Sequence, residues 1–241
     1  MTNKIKRICS VCIRGGSQGV PRKNSTFIAG KPLFAHSIDQ AKKSGLFEVI
    51  AVSSDDPELL SLAREWGADL VIKRPDELAT NTSGKLTAIQ HCVQAVEKEL
   101  NCQFKTCVDL DATSPLRLPK DIIGAVWFHE NLASHNDNVN VITGCPARRS
   151  PYFNQVELLP NSKVKLSKPP KKNVLRRQDA PKVFDMNASI YVWTRKSLLN
   201  AQGGVLNDQT YIYEMPEERS IDIDTPFDLK IVQHLLETNP T

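Results

Sequence analysis

The sequence predicts an α/β fold in which two layers of helices enclose a sheet. Short apolar runs alternate with amphipathic, helix-like segments along most of the 241 residues, which is typical of a three-layer α/β/α sandwich. A glycine-rich loop follows the first apolar run directly, and the alternation breaks once, at residues 146–181. We therefore expect a single domain, residues 1–241, that contains one irregular excursion, residues 146–181.

The individual elements follow from local signals. The β-branched run at residues 8–13 ends at glycines and predicts the first strand. Similar runs predict strands at residues 48–53, 69–73, 104–110, 140–145, 188–194 and 210–214. Caps and one-sided apolar spacing predict helices at residues 32–45, 56–66, 82–100, 119–133 and 226–237. Only short hairpin-like pieces, such as residues 152–158, interrupt the excursion.

Composition narrows the class of protein. The 31 basic and 27 acidic residues nearly balance, so net charge alone does not indicate a nucleic-acid-binding protein. The apolar runs are strand-sized, and neither a secretory signal nor a membrane span is expected. Six scattered cysteines are typical of reduced thiols. These features predict a soluble, cytoplasmic enzyme that has no membrane partner.

The loop after the first strand has the composition of a phosphate-binding turn. Gly15 and Gly16 let the backbone approach a polyphosphate, Ser17 adds a hydroxyl donor, and Arg14 and Lys23 supply positive charge. Neither the Walker pattern nor the dinucleotide-binding glycine pattern fits this loop. The loop also follows the carboxyl end of a strand, the edge where open α/β sheets bind ligands. We therefore predict a phosphate site here.

Two acidic pairs lie far from this loop in sequence. Asp222 and Asp224 project from one side of an extended segment, and such a pair, together with substrate phosphates, suits Mg²⁺. The alternative is that Asp222 is solvated and Asp224 caps the following helix. Asp109 and Asp111 end the fourth strand, and because an unpaired buried carboxylate is costly, we expect a cation or a hydrogen-bonding substrate beside them.

Five separated motifs, in this order along the chain, resemble those of the acylneuraminate cytidylyltransferases, which make CMP-sialic acids. They lie at residues 14–24, 74–75, 113–117, 177–187 and 220–225. The resemblance implies a Rossmann-like nucleotide-diphospho-sugar transferase fold, and a requirement for CTP and Mg²⁺. It also implies a homodimer in which the excursion reaches the partner's active site.

The resemblance also implies roles for individual residues. Arg14, Lys23 and Asp222 would be catalytic, and Asp222 and Asp224 would bind the metal. The residues expected at the nucleotide are Arg14, Gly15, Gly16, Ser17, Lys23, Asn24 and Arg74. Those expected at the sugar are Asp111, Thr113, Ser114, Arg117, Arg177, Gln178 and Asn187.

The implied reaction is transfer of CMP from CTP to the anomeric hydroxyl of a nonulosonic acid, with release of pyrophosphate. Either Asp222 or Asp111 could activate that hydroxyl. Asp111 replaces a glutamine of many sialic acid enzymes, which, with residues 146–154, resembles the bacterial legionaminic acid branch. A Kdo cytidylyltransferase is the nearest alternative. A nucleic-acid-binding arm at residues 168–177 is a remote one, because that basic segment lacks interleaved aromatic residues.

Overall fold

The computed structural model describes residues 6–16, 20–80, 83–170 and 174–238. Its strands are β1 (Arg7–Cys12), β2 (Phe27–Ile28), β3 (Lys31–Pro32), β4 (Val49–Ser54), β5 (Leu70–Lys73), β6 (Thr106–Leu110), β7 (Asn140–Pro146), β8 (Val156–Leu158), β9 (Val164–Leu166), β10 (Phe184–Thr194) and β11 (Thr210–Glu214). Its helices are α1 (Leu33–Ser44), α2 (Pro57–Glu65), α3 (Lys85–Leu100), α4 (Pro119–Ala133), α5 (Arg195–Asn200) and α6 (Pro226–Thr238).

Seven of these strands form the central sheet, in the order β11-β7-β10-β6-β1-β4-β5. β1 pairs in parallel with both β4 and β6, and β5 and β11 also pair in parallel with their neighbours. Only β10 runs the other way, antiparallel to β6 and β7. The carboxyl ends of the parallel strands therefore meet at one edge of the sheet, which is the edge predicted to bind ligands.

Alternate residues of the strands face two separate apolar layers. On one face, Cys9 and Val11 of β1 pack in a cluster with residues of α1, α2 and α4. On the other face, Ile8 packs in a cluster with residues of α3 and α5. Since successive side chains of a strand point to opposite faces, each continuous apolar run supplies core side chains to both faces of the sheet. The predicted three-layer α/β/α fold class is confirmed.

Most predicted element boundaries agree with the structure, because their caps are local. Gly45 ends α1 in the left-handed conformation, with φ 65°, and the Asp56 side chain caps α2 by accepting from the Glu58 N–H at 2.8 Å. The predicted helix at residues 82–100 begins only at Lys85. The short β2–β3 hairpin and α5 were not predicted, since their sequences are too short for a periodic signal.

Helix α6 begins with a reciprocal pair of side-chain caps. Thr225 Oγ1 accepts from the Asp228 N–H at 3.2 Å, and Asp228 Oδ2 accepts from the Thr225 N–H at 2.8 Å. Thr225 is therefore the capping residue, and the alternative in which Asp224 merely caps this helix is wrong.

The excursion lies between two neighbouring strands of the sheet. It leaves after β7 and returns into β10, where Pro146 pairs with Phe184. Its regular part is the two-stranded hairpin β8–β9, whose apolar side chains Val156, Leu158 and Val164 are exposed. No helix within the described residues is long and apolar enough to cross a membrane.

We predict that His129 makes the stability of the protein depend on pH. Its ring is fully buried on α4, and burial lowers its pKa from 6.5 to about 4. Between these values the unfolded chain binds a proton that the folded chain does not, so stability should fall as the pH drops from 6.5 to 4, by about 3 kcal/mol. Urea unfolding over this pH range measures the slope.

The variant His129→Gln should flatten that slope, because glutamine does not titrate. The matched control is His135→Gln, which removes an exposed histidine just beyond the same helix and should leave the slope unchanged. An unaltered slope in a folded His129→Gln protein would contradict the prediction.

Candidate functional site

The site lies at the carboxyl edge of the parallel strands. Arg14 follows β1, Asp55 follows β4, Arg74 follows β5 and Asp111 follows β6. These strands are neighbours in the sheet, so the charged residues after them are brought together although they are distant in sequence.

Lys23 joins this edge to the segment that contains the second acidic pair. Its ammonium group donates to the carbonyl of Ile223 and lies 3.5 Å from Asp224 Oδ1. The Lys23 side chain is only 12% exposed, whereas Asp224 is exposed. The glycine-bearing loop and the Asp222–Asp224 segment therefore converge, as their proposed joint role requires.

The Asp222–Asp224 segment is held in place by its middle residue, Ile223. Ile223 is buried in an apolar cluster with Leu116 and with residues of α6, and its N–H donates to the carbonyl of Thr113 at 3.0 Å. Burial raises the pKa of Asp222, and the negative charge of Asp111 raises it further. Asp222 Oδ1 is buried and has no hydrogen-bond partner within the described part of the chain.

The acidic pair at the end of β6 has a cationic partner, Lys85. Its ammonium group lies 3.1 Å from Asp109 Oδ2 and also contacts Asp111 Oδ2. Burial opposes the positive charge of Lys85, but Asp111 and Asp109 outweigh burial and raise its pKa. Burial likewise opposes the charge of Asp111, yet Lys85 and hydrogen bonds from Thr113 hold its pKa at about 2. The expected partner of these buried carboxylates is thus a cation from the protein itself.

Arg74 and Asn24 donate hydrogen bonds to backbone carbonyls at this edge of the sheet. The Arg74 guanidinium is nearly buried and donates to the carbonyls of Ile13 and Ser53, the latter at 2.9 Å. The Asn24 side-chain amide donates to the carbonyl of Arg14 at 2.9 Å. Both residues therefore fix the backbone of the loop at which the nucleotide was predicted.

The two described glycines of the loop differ in their surroundings. A side chain at Gly15 would meet Asp56 Oδ2 at 2.8 Å and would have to displace the Asp56 side chain, which caps α2, while Gly16 faces open space. The Gly15 N–H donates to Asp55 Oδ1 at 3.2 Å. The predicted contact residue Ser17 lies outside the described residues.

A cleft of about 350 Å³ opens above this edge. Four cationic residues line it, namely Arg14, Lys23, Arg74 and Lys85. Asn24, Asp111 and Thr113 also reach its wall. We refer to it as the edge cleft. Its concave shape and positive lining suit a polyphosphate ligand.

Two of the predicted sugar-binding residues, Ser114 and Asn187, are buried beneath the edge cleft. Ser114 has no exposed surface and donates to the Asn187 carbonyl at 3.2 Å. The Asn187 side chain accepts from Thr143 Oγ1 at 2.7 Å and donates to Ser220 Oγ at 2.9 Å. The strand β10 bulges here, with neighbouring Ala188 in the left-handed conformation at φ 50°. These residues connect strands within the protein.

Arg117 is also fully buried. Its guanidinium donates to Gln40 Oε1 at 2.9 Å, to the Ser189 carbonyl at 2.6 Å and to the Asp111 carbonyl at 2.5 Å. With no exposed surface, it cannot touch a ligand in this structure. The expectation of a sugar contact is therefore corrected: Arg117 holds α1, β10 and the end of β6 together.

Arg177 and Gln178 lie apart from the edge cleft. They line a separate groove of about 500 Å³ at the base of the excursion, together with Ala147 and Phe184. Arg177 donates to the Ala147 carbonyl at 2.6 Å. Within one chain, these two residues are not brought to the nucleotide-binding residues.

Lys85 is the site residue that sequence reasoning missed. It begins α3, whose first turn contains no acidic residue, although the positive end of a helix dipole disfavours a cation there. A lysine at this position therefore needs a specific anionic partner, and the carboxylates at the end of β6 were already expected to need a cation. Combining the two signals could have identified the pair.

The chain is similar to known proteins over nearly its whole length. The sequence is 42% identical over 229 residues to the CMP-N,N'-diacetyllegionaminic acid synthase of Campylobacter jejuni, covering 95% of this chain and 94% of that protein. It is 39% identical over 230 residues to the post-translational flagellin modification protein B of Campylobacter coli, covering 95% and 94%. The solved structure of a CMP:2-keto-3-deoxy-manno-octonic acid synthetase complexed with CTP matches 97% of this chain and 99% of its own, with 17% identity and a TM-score of 0.66.

The fold and the cationic edge cleft are those expected of an α/β protein that binds a phosphorylated ligand. The chain belongs to the cytidylyltransferase family, whose model matches residues 8–238. It is therefore a nucleotidyltransferase, and the predicted family and class of activity are confirmed.

We predict that Arg117→Lys destabilises the fold, since lysine cannot reproduce the forked set of buried hydrogen bonds. The loss should be about 3 kcal/mol, the size expected when a buried charged network is broken. Urea unfolding checks the value, and Arg22→Lys, a change of an exposed arginine in the first loop, is the control. Unchanged stability combined with a raised KM for the sugar would instead restore the ligand-binding role.

Proposed function

We propose that the protein transfers CMP from CTP to the anomeric hydroxyl of a nonulosonic acid and releases pyrophosphate. The observation that carries this proposal is the contact of Lys23, which lines the edge cleft, with the Asp222–Asp224 segment. This contact brings the loop that is proposed to bind phosphate and the carboxylate pair together. A nucleoside triphosphate and its counter-ion need this combination.

The acceptor is proposed to be of the N,N'-diacetyllegionaminic type. Support comes from the named synthase that is 42% identical over nearly the whole of both chains. A relative named N-acylneuraminate cytidylyltransferase, from Streptococcus agalactiae, is 30% identical, and this chain covers 54% of that protein. The diacetylated acceptor is therefore favoured over sialic acid.

Asp222 and Asp224 are proposed to hold Mg²⁺. The donor set fits, because the buried Asp222 Oδ1 has no protein partner among the described residues and carboxylate oxygens are the ligands Mg²⁺ prefers. When bound, the ion would neutralise charge on the triphosphate. No group of three or more potential metal ligands exists among the described residues, so substrate oxygens and water would complete the coordination.

The surrounding residues perform the remaining tasks in this proposal. Arg14 and Lys23 orient the triphosphate and stabilise negative charge that develops at the α-phosphate and on leaving pyrophosphate. Both oxygens of Asp111 are engaged, Oδ2 by Lys85 and Oδ1 by Thr113, so Asp111 is poorly placed to accept a proton. Of the two alternatives, we therefore favour Asp222 for activation of the hydroxyl.

Pyrophosphate release with CTP, Mg²⁺ and a panel of eight- and nine-carbon keto acids tests this function. We expect turnover with N,N'-diacetyllegionaminic acid, weaker turnover with sialic acid and none with Kdo. Preferential turnover of Kdo would favour the alternative cytidylyltransferase, and no release with any acceptor would refute the proposal.

We predict that Lys23→Met and Asp222→Asn each lower kcat about a hundredfold or more, because each removes a group that stabilises charge in the transition state. Lys98→Met, which removes an exposed lysine on α3, should retain wild-type turnover. Circular dichroism verifies that all three variants are folded. Near-normal turnover of Asp222→Asn would remove this residue from the metal site.

We further propose a homodimer that the excursion assembles. Its hairpin exposes apolar side chains, with Leu158 76% exposed, and such patches are typical of protein interfaces. Arg177 and Gln178 lie away from the edge cleft of their own chain, so a second copy offers a way for them to reach a substrate.

The six free cysteines suit the reducing cytoplasm, where we propose that the enzyme works.

We predict that sedimentation analysis finds a dimer and that Leu158→Asp shifts it to monomer, because a buried unpaired charge opposes association. Turnover should fall with dimer content if Arg177 acts across the interface. Glu157→Gln, on the same strand, is the control and should remain dimeric. A fully active monomer would contradict the shared-site arrangement.

A further inference from the structure

Thr113 connects Asp111 to the segment that contains Asp222 and Asp224. Thr113 donates its N–H and its hydroxyl to Asp111 Oδ1, at 2.9 Å and 2.8 Å. Its carbonyl accepts from the N–H of Ile223, which lies between Asp222 and Asp224. Asp111 therefore lies beside the segment that contains Asp222, and its negative charge contributes to the raised pKa of Asp222. Within the described residues these carboxylates do not form a three-ligand metal site, so an ion held by Asp222 and Asp224 would meet Asp111 only if Asp111 left its present partners.

Lys85 is placed to keep Asp111 where it is. Its ammonium group contacts Asp111 Oδ2 and lies 3.1 Å from Asp109 Oδ2, while the Tyr191 ring centroid lies 4.9 Å away. Asp109 is in turn fixed by Ser10 Oγ, which donates to Oδ1 at 2.8 Å. With Lys85 present, this group carries one net negative charge rather than two, and Asp111 has no oxygen that lacks a protein donor.

The arrangement also fixes the geometry of the metal-binding segment. Lys85 holds Asp111, Asp111 holds Thr113, and the Thr113 carbonyl holds the backbone of Ile223. This continuous path runs from the first residue of α3 to the segment between Asp222 and Asp224. Displacement of Asp111 toward a bound ion would break the path at its second step.

We propose that Lys85 is a positioning residue that withholds Asp109 and Asp111 from the divalent cation, so that Asp222 and Asp224 are its protein ligands. This inference rests on the proposed function, since it concerns the metal site proposed there. Besides adding positive charge to the edge cleft, Lys85 thus limits the number of carboxylates that can bind the ion.

The experiment measures the binding of Mn²⁺ alone, without nucleotide, by electron paramagnetic resonance of the free ion. Lys85→Met should bind Mn²⁺ roughly tenfold more tightly than the wild type, because the released Asp111 becomes an additional ligand. Lys85→Arg, which keeps the charge, should bind as the wild type does. The double variant Lys85→Met/Asp111→Asn should return to the wild-type affinity, because the extra carboxylate is gone.

Asp111→Asn alone keeps the test decisive even if Lys85→Met does not fold. Because Asp111 is not a ligand in this proposal, its replacement should leave the Mn²⁺ affinity within about twofold of the wild type, whereas a tenfold loss would show that Asp111 binds the ion and would overturn the proposal. A folded Lys85→Met protein of unchanged Mn²⁺ affinity would also overturn it. A merely structural role for Lys85 would not tighten binding.

Failure of this inference is distinguishable from failure of the proposed function. Asp222→Asn should abolish Mn²⁺ binding, and its failure to do so would place the ion elsewhere and count against the proposed metal site. Pyrophosphate release by the wild type tests the reaction itself, independently of the Lys85 series.

Discussion

The contact of Lys23 with the backbone of Ile223 joins the first loop of the chain to the last one, and the cleft depends on it. The loop after β1 supplies cations and glycines, whereas the segment before α6 supplies carboxylates. In the proposed function, neither half alone would hold a triphosphate together with its counter-ion. The largely buried ammonium group of Lys23 therefore holds the two segments together, because it contacts Asp224 and donates to the carbonyl of Ile223.

The buried carboxylates at the sheet edge are paired with a cation of the protein itself. Asp109 is fully buried, and an isolated carboxylate there would be very costly. Lys85 offsets that cost, and Arg117 does the same for a set of buried carbonyls beneath the cleft. Among the described residues, Asp222 Oδ1 is one of a small set of buried polar atoms without a hydrogen-bond partner, and Ser53 Oγ and Arg74 Nε at the same edge are others.

The sequence alone predicted the layers and most element boundaries, because these depend on periodicity and local caps. The family resemblance, and no local pattern, implied that the loop and the aspartate pair act on one substrate. The sequence did not separate a ligand-binding arginine from a buried one. Arg117 finds its acceptors on α1 and β10, which are far away in the chain and carry no local signal. Lys85 was missed for a similar reason, since its partners lie on β6. Long-range pairing of charges is set by the fold and not by neighbouring residues.

The excursion starts and ends on adjacent strands, with Pro146 of β7 opposite Phe184 of β10 and the Ala147 N–H donating to the Val183 carbonyl at 2.9 Å. Topologically it is therefore an enlarged hairpin loop. Residues can be gained, lost or exchanged within it while every strand of the main sheet keeps its register. Such a module can diversify during evolution at its own pace, so that one nucleotide-handling platform can be combined with many different appendages.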